Sequence, residues 1–304
     1  MYKHYDSSNW YDTRNTNKER QILRKIKNKL QSNKAVITKA DKGNTIFFSY
    51  QQEYRNKVKD FITDNKLITV NDPTKTFQKK IRNILNECKI VTHKDEKWKY
   101  VNLNPSALSI RGMLKINKTG APIRPVINWK NAPAYKLAKM LTKKLQMYVS
   151  LPYTFNIKNS VQLIEDLLCI PFNPSLQFVS FDITNMYSNV PTSDLIHIIE
   201  LIIDQQFIDG KTKHELINLS KIIIEQNYFQ FDNSYYSQEN GLAMGSPTSP
   251  IFSEMYLQCI QNTAVYDTLL HNNITGYFRY VDDILIVYDR TNTDIIKVLD
   301  SLIN

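Results

Sequence analysis

The chain has 304 residues, of which 42% are hydrophobic and 22% charged, the composition of a globular protein with a sizeable core. Its five scattered histidines and three distant cysteines (Cys88, Cys169 and Cys259) exclude a disulfide framework and a zinc spacing, and suggest a reducing, intracellular compartment. No apolar run approaches the roughly 18–20 residues that span a bilayer, and the opening MYKHYDSSNWYD lacks the apolar core of a secretory signal.

Charge is unevenly spread. Residues 1–150 hold 32 Lys and Arg against 11 Asp and Glu, a net of +21, whereas residues 151–304 hold 7 against 18, a net of −11. A basic half joined to an acidic half suits a polyanion gripped by one part while cations and chemistry sit in the other.

In chain order, residues 1–15 are polar and expected to fray. Thr16, with Glu19 three residues on, predicts the capped start of a helix. Ile22, Ile26 and Leu30 make its apolar stripe, and Lys18, Arg20, Arg24, Lys25, Lys27 and Lys29 crowd the rest. Residues 35–38 and 45–48 read as two strands around the turn Lys39-Ala40-Asp41-Lys42-Gly43-Asn44. Residues 51–100 read as helical and basic, with a break at Asp72-Pro73. Within 107–128, two short apolar strands flank a Lys118-Thr119-Gly120 turn where Lys115, Lys118 and Arg124 can converge. Arg offers a planar fork that matches phosphate geometry, and Lys a point charge. A basic helix over 133–150 starts at Pro133, and 151–175, ending in Pro171 and Pro174, reads as a connector.

The second half carries the chemistry. Six mostly apolar residues, 176–181, lead to Asp182, which therefore sits late in a strand and needs a cation, a metal or solvent. Two apolar-rich helices follow, about 192–208 and 212–226, then paired strands over 228–236 turning at Asp232-Asn233. A Gly/Pro-rich loop, Asn240 to Pro250, opens a helix with Ser249 as cap and Pro250 at its first position. Its glycines allow a backbone to approach a nucleotide closely. In Tyr280-Val281-Asp282-Asp283-Ile284-Leu285-Ile286-Val287-Tyr288, two acids interrupt an apolar run, which suggests a hairpin with acids at its tip. That tip lacks the Asn-Gly or Asp-Gly of a stable hairpin, and a local rule broken at one spot is where function is expected. Each feature alone is also an ordinary surface turn. Together, the strands should bring Asp182 beside Asp282 and Asp283 on one antiparallel sheet. Three carboxylates around two metals roughly 3.5–4 Å apart make a site for phosphoryl transfer.

In this order the motifs resemble the reverse transcriptases. Phe181-Asp182-Ile183 with Tyr187 is similar to their first catalytic motif, and Tyr280-Val281-Asp282-Asp283 to their Tyr-X-Asp-Asp box. Met244-Gly245-Ser246-Pro247-Thr248-Ser249-Pro250 looks like their glycine loop, with Met244 where many relatives have Gln. Lys39-Ala40-Asp41-Lys42-Gly43, Leu114-Lys115-Ile116-Asn117-Lys118, Ile123-Arg124-Pro125 and Ala243-Met244-Gly245-Ser246-Pro247 resemble segments of the Penelope-like retroelements, a group related to telomerase. The likeness covers roughly residues 35–288.

That resemblance implies an α+β right-hand polymerase fold. A basic N-terminal extension and helix would occupy 1–34, fingers with the start of the palm 35–175, and an antiparallel palm sheet with helices 176–304, including a helical insertion at about 192–226. It implies an RNA-directed DNA polymerase acting on an RNA template, a DNA primer and deoxynucleoside triphosphates, in the nucleus and off the membrane. Asp182, Asp282 and Asp283 would be catalytic and hold two Mg²⁺ or Mn²⁺ with the carbonyl of Ile183. Tyr187 would be the gate under the incoming sugar, Met244 and Gly245 would line the nucleotide pocket, and Lys115, Lys118 and Arg124 would hold the triphosphate. The thumb and endonuclease of relatives are expected outside these residues, so the chain is expected to be a fragment or a truncated copy, with an exposed palm-sheet edge or apolar patch. A non-catalytic nucleic-acid-binding remnant and a DNA-templated polymerase sharing the palm are the competing readings.

Overall fold

The alternation of amphipathic and β-branched stretches becomes a mixed α+β fold in a computed structural model, which describes residues 13–43, 45–151 and 155–303. The first elements are α1 (Thr13–Ser32), β1 (Ala35–Lys39), β2 (Ile46–Tyr50), α2 (Gln51–Asp64), β3 (Ile68–Val70), α3 (Thr74–Glu87) and the short α4 (Lys97–Tyr100). Then come β4 (Ser109–Leu114), β5 (Ile123–Asn128), α5 (Tyr135–Tyr148), α6 (Ser160–Leu168) and β6 (Leu176–Asp182). The short α7 (Met186–Asn189), α8 (Thr192–Asp204), α9 (Gly210–Glu225), β7 (Tyr228–Phe231) and β8 (Ser234–Ser237) follow. The chain continues through α10 (Ser249–Ile260), a π-helical turn (Gln261–Val265), α11 (Tyr266–His271), β9 (Gly276–Tyr280), β10 (Asp283–Asp289) and α12 (Ile295–Ile303).

These elements group into two compact units, Met1–Lys66 with Arg111–Pro125, and Leu67–Ile110 with Val126–Asn304. In the first unit β1 and β2 form the expected antiparallel hairpin, with Ile37 opposite Phe48. The Thr38 hydroxyl donates to the Gly112 carbonyl at 3.1 Å, and the Asp41 N–H donates to the Leu114 carbonyl at 2.9 Å, so the hairpin is tied to the far part of β4. Helix α1 begins at Thr13, so Thr16 lies inside the helix and not at its cap. Ile22 and Ile26 on its stripe are exposed. The expected polar start falls largely on residues outside those described.

In the second unit β3, β8 and β7 pair antiparallel, and Ser109 of β4 sits in parallel register with Gln230 of β7. Asp232 and Asn233 both take positive φ, 50° and 65°, as a two-residue turn between β7 and β8 requires. The break at Asp72-Pro73 holds, because the Asp72 carboxylate accepts the Thr74 N–H (2.9 Å) and so starts α3. The expected connector over 151–175 is corrected: it contains α6, capped by Asn159, whose side chain accepts the N–H groups of Val161 and Gln162. Pro171 and Pro174 stand near the end of that stretch, yet they lie past the helix end and leave the Asn159 cap intact. The start of α10 is also shifted by one, with Thr248 as cap and Ser249 as the first helical residue.

The three-stranded sheet β6–β10–β9 holds the strands that carry the acids. Period-two alternation gives it two unlike faces. Tyr277, Ile284, Ile286, Val179 and Phe181 belong to one core cluster with Val265, Leu269, Ile295 and Leu302. Burying Ile286 alone stabilises by about 1.5–3 kcal/mol. The other face shows Phe178 and, beside the acids, Tyr280 more than half exposed, and β6 lies at the sheet's edge.

Candidate active site

Strand register decides which acids meet. β10 runs antiparallel to β6 with Asp283 directly opposite Asp182, and Ile284 opposite Phe181. β10 also pairs with β9, Asp283 opposite Tyr280, so Val281 and Asp282 form the two-residue connection. The Ile183 N–H donates to the Asp282 carbonyl at 2.9 Å and extends the ladder past the acid pair. The end of one strand and the turn of another are thereby fixed to each other through backbone.

The connection is under strain. Val281 has φ +56°, and a β-branched residue in the left-handed region is an outlier that costs about 1–3 kcal/mol. Among the central pair only Val281 takes positive φ, the pattern of a type II′ turn whose first central position favours Gly. The Val281 carbonyl accepts from Arg279 Nη1 at 3.1 Å. The expected hairpin is present, and its unusual residue is the valine as much as the acids.

Asp182 and Asp283 are exposed and Asp282 is half-buried. Directly opposed like charges are destabilising on a sheet. Three carboxylates are hard oxygen donors suited to Mg²⁺ or Mn²⁺. Among the described residues, no three His, Cys, Asp or Glu side chains are gathered closely enough to form a ready metal cluster. The donor chemistry and the register fit a divalent cation; the side chains as they stand do not form a closed cage.

Tyr187 and the glycine loop come to the same unit. Asn185, at φ +51°, turns the chain after β6 into α7, which carries Tyr187. The Tyr187 carbonyl accepts the Leu242 N–H at 2.6 Å, and the Gly241 N–H donates to Val190 at 2.8 Å. Gly241 has φ +89°, and a Cβ there would stand 2.5 Å from the Ser188 carbonyl oxygen. Burial pushes the Tyr187 phenol above its ordinary range, and the Asp282 and Glu254 charges add to this, against the contrary effect of a hydrogen bond with Ser253. Tyr187, Ile251, Glu254, Leu257, Arg279 and Val281 help line a cavity of about 310 Å³.

Gly245 has a different reason to be glycine from the one its motif suggests. Its φ is +125°, and a Cβ would lie 2.1 Å from the Ile127 carbonyl oxygen. The Ile127 N–H donates to the Met244 carbonyl at 2.7 Å. The close approach that the loop makes is to the chain's own strand.

Lys115, Lys118 and Arg124 belong to the other unit. The Lys118 N–H donates to the Lys115 carbonyl (3.0 Å) in the turn, and Lys57 Nζ donates to the Gly120 carbonyl (2.6 Å). Arg124 pairs with Asp41 at 3.1 Å, and the Asp41 side chain is 5% exposed. Asp41 therefore has a partner that the sequence did not reveal.

Sequence reasoning also left Arg279 without a role, although it is fully buried. The available signal was parity: Arg279 shares an inward face with Tyr277 on β9, and a fully buried Arg needs a partner. That partner is Glu254, which receives Arg279 Nη2 at 2.6 Å and Nη1 at 3.1 Å.

No protein-family model matches the chain, and no curated protein is similar to it in sequence. Solved structures are. Telomerase from Candida albicans, in complex with the TWJ fragment of telomeric RNA, superposes with a TM-score of 0.57 at 13% identity, over 92% of this chain and 48% of that one. Apo telomerase from Candida tropicalis, truncated from its C-terminal domain, matches with a TM-score of 0.57 at 12% identity, over 88% of this chain and 55% of that one. The chain thus has a fold similar to that of telomerase and spans about half the length of the solved telomerases that it matches.

Proposed function

We propose that the chain is the fingers and palm of an RNA-directed DNA polymerase of the Penelope-like kind, which adds deoxynucleotides to a primer 3′-end. The observation that carries this reading is Asp182 opposite Asp283, next to a turn whose Asp282 carbonyl is bonded to Ile183. The fold similarity to telomerase and the net +21 of residues 1–150 support it.

Asp182, Asp282 and Asp283, with the Ile183 carbonyl, would hold the divalent cations. When bound, such cations activate the primer hydroxyl and offset charge on the departing pyrophosphate. The protein's part is to hold its carboxylates on paired strands, where the rigid ladder keeps them at one spot. Tyr187 would stand beneath the incoming sugar and disfavour a 2′-hydroxyl, and Met244 and Gly245 would border the base. Lys115, Lys118 and Arg124 would meet the triphosphate, with Asp41 fixing the Arg124 fork. The basic residues would hold an RNA template and DNA primer through phosphates, which makes binding salt-sensitive and largely blind to sequence.

Primer extension on matched RNA and DNA templates, with Mg²⁺ and with Mn²⁺, tests this. Joined to a thumb, the chain should extend the primer on RNA, and Asp282→Asn should slow extension by at least about 100-fold. Equal rates for Asp282→Asn and wild type would remove Asp282 from the chemistry. Salt-sensitive binding to an RNA–DNA hybrid with no extension under either cation would mean a non-catalytic binding remnant. Faster extension on DNA would mean a DNA-templated enzyme.

A further inference from the structure

Among the described residues, Arg279 is the largest side chain that the fold buries completely. It lies one residue before the Tyr280-Val281-Asp282-Asp283 segment, and all of its polar groups point to one task. Nε donates to Gln261 Oε1 at 3.0 Å. Nη2 donates to Glu254 Oε1 at 2.6 Å, and Nη1 to Glu254 Oε2 at 3.1 Å, a two-pronged match of fork and carboxylate. Nη1 also donates to the Val281 carbonyl at 3.1 Å. The backbone of Arg279 is held as well, its N–H by the Phe155 carbonyl and its carbonyl by the Ile157 N–H, both at 2.9 Å.

The partners are themselves fixed. Glu254, on α10, also accepts from Asn156 Nδ2 at 3.0 Å and Gln258 Nε2 at 2.7 Å. Gln261 is the first residue of the π-helical turn that follows α10, and its amide donates to the Tyr277 hydroxyl at 3.2 Å. A π turn inside a helix commonly marks a functional site, because it re-aims side chains that a regular helix would place elsewhere. Here it points a buried amide at the Arg279 guanidinium. A helix, a π turn and the 155–157 segment converge on Arg279, which in turn reaches the carbonyl of a valine held at φ +56°.

We propose that Arg279 is a positioning residue: clamped by Glu254 and Gln261, it holds the Val281 carbonyl and so locks the strained turn that presents Asp282 and Asp283. The purpose of that turn, cation binding, rests on the polymerase reading; the clamp itself does not. A Gly at Val281 would take the conformation without strain. The clamp is what lets a valine occupy it. Lys cannot replace Arg here, since an ammonium offers a point charge in place of a fork that reaches carboxylate, amide and carbonyl at once.

The test uses the full chain and two readouts. One is the ¹³Cα chemical shift of Val281, which follows its backbone conformation. The other is Mn²⁺ binding measured by electron paramagnetic resonance with the metal alone. Arg279→Lys should move the Val281 shift away from its wild-type value and weaken Mn²⁺ binding by about 10-fold or more. Adding Val281→Gly to Arg279→Lys should restore at least half of that loss on a logarithmic scale, which a merely structural role would not do. Should Arg279→Lys fail to fold, Glu254→Gln carries the same expectation. A folded variant that keeps the wild-type Val281 shift and Mn²⁺ affinity overturns the proposal, as does the absence of any rescue by Val281→Gly. Asp282→Asn separates the two ideas: unchanged Mn²⁺ affinity in that variant would sink the cation reading, while the Val281 shift in Arg279→Lys still decides the clamp.

Discussion

Gly245→Ala should damage the fold more than its exposed position suggests. At φ +125° an L-residue is strained by about 1–3 kcal/mol. The added methyl would also meet the Ile127 carbonyl oxygen at 2.1 Å, which is backbone and cannot rotate away. Separating the two segments breaks the 2.7 Å bond from the Ile127 N–H to Met244, in a part of β5 that is buried. An unmet buried donor costs about 1–3 kcal/mol more. The sum, about 2–6 kcal/mol, lowers the urea midpoint by about 0.7–2 M at a slope of about 3 kcal/mol/M. Gly120→Ala is the control: its φ is +74°, but a Cβ there meets nothing within 4 Å. It should cost only the left-handed strain, about 1–2 kcal/mol. Urea unfolding followed by circular dichroism, with fluorescence of the buried Trp129 as a local reporter, measures both. If the Gly245→Ala midpoint falls within about 0.3 M of the Gly120→Ala midpoint, the close-approach argument is wrong.

Two further outcomes concern titration and reactivity. Hydrogen bonds from the Thr291 side chain, then from Ser175 and the Thr291 backbone, hold the Asp289 carboxyl down at about 2. A depressed acid contributes stability that is present above its unfolded value of about 3.9 and disappears as pH falls from there towards about 2. Carboxyl NMR should find that midpoint, and Thr291→Val should raise it; a midpoint unmoved by Thr291→Val would discount the hydroxyl. Burial, with help from the nearby Glu215 and Glu87, pushes the Cys88 thiol up to about 12, whereas Cys169 is exposed. A disulfide reagent at pH 8 should therefore modify Cys169 first and Cys88 only on unfolding, and rapid labelling of Cys88 in native buffer would contradict its burial.

Local patterns in the sequence were sufficient wherever neighbours along the chain settle the structure. The hairpins at 35–48 and 107–128 follow from apolar runs broken by turn residues, the one at 280–288 from an apolar run broken by two acids, and the helices over 192–226 from their apolar composition. The helix α6 was hidden because two prolines beyond its end outweighed a single Asn cap in a reading by composition. The order of Asp182, the glycine loop and Asp282-Asp283 could be read directly, because each acid sits at the end of an apolar run where burial would penalise it.

The sequence placed Asp182 and the acid pair on one sheet, but it could not contain the register between strands a hundred residues apart. Asp283 faces Asp182 only because β10 meets β6 in one register, and a slip by one residue would turn every side chain to the other face. Gly245 is required by a carbonyl at Ile127, and Arg279 is tolerated inside the core by a carboxylate at Glu254. Residue types and their local spacing determined which groups could do chemistry. Tertiary structure alone decided the register in which the acids meet and which distant residue holds the turn in place, because a close contact or a buried charge is satisfied by whatever the fold brings near and not by what precedes it in the chain.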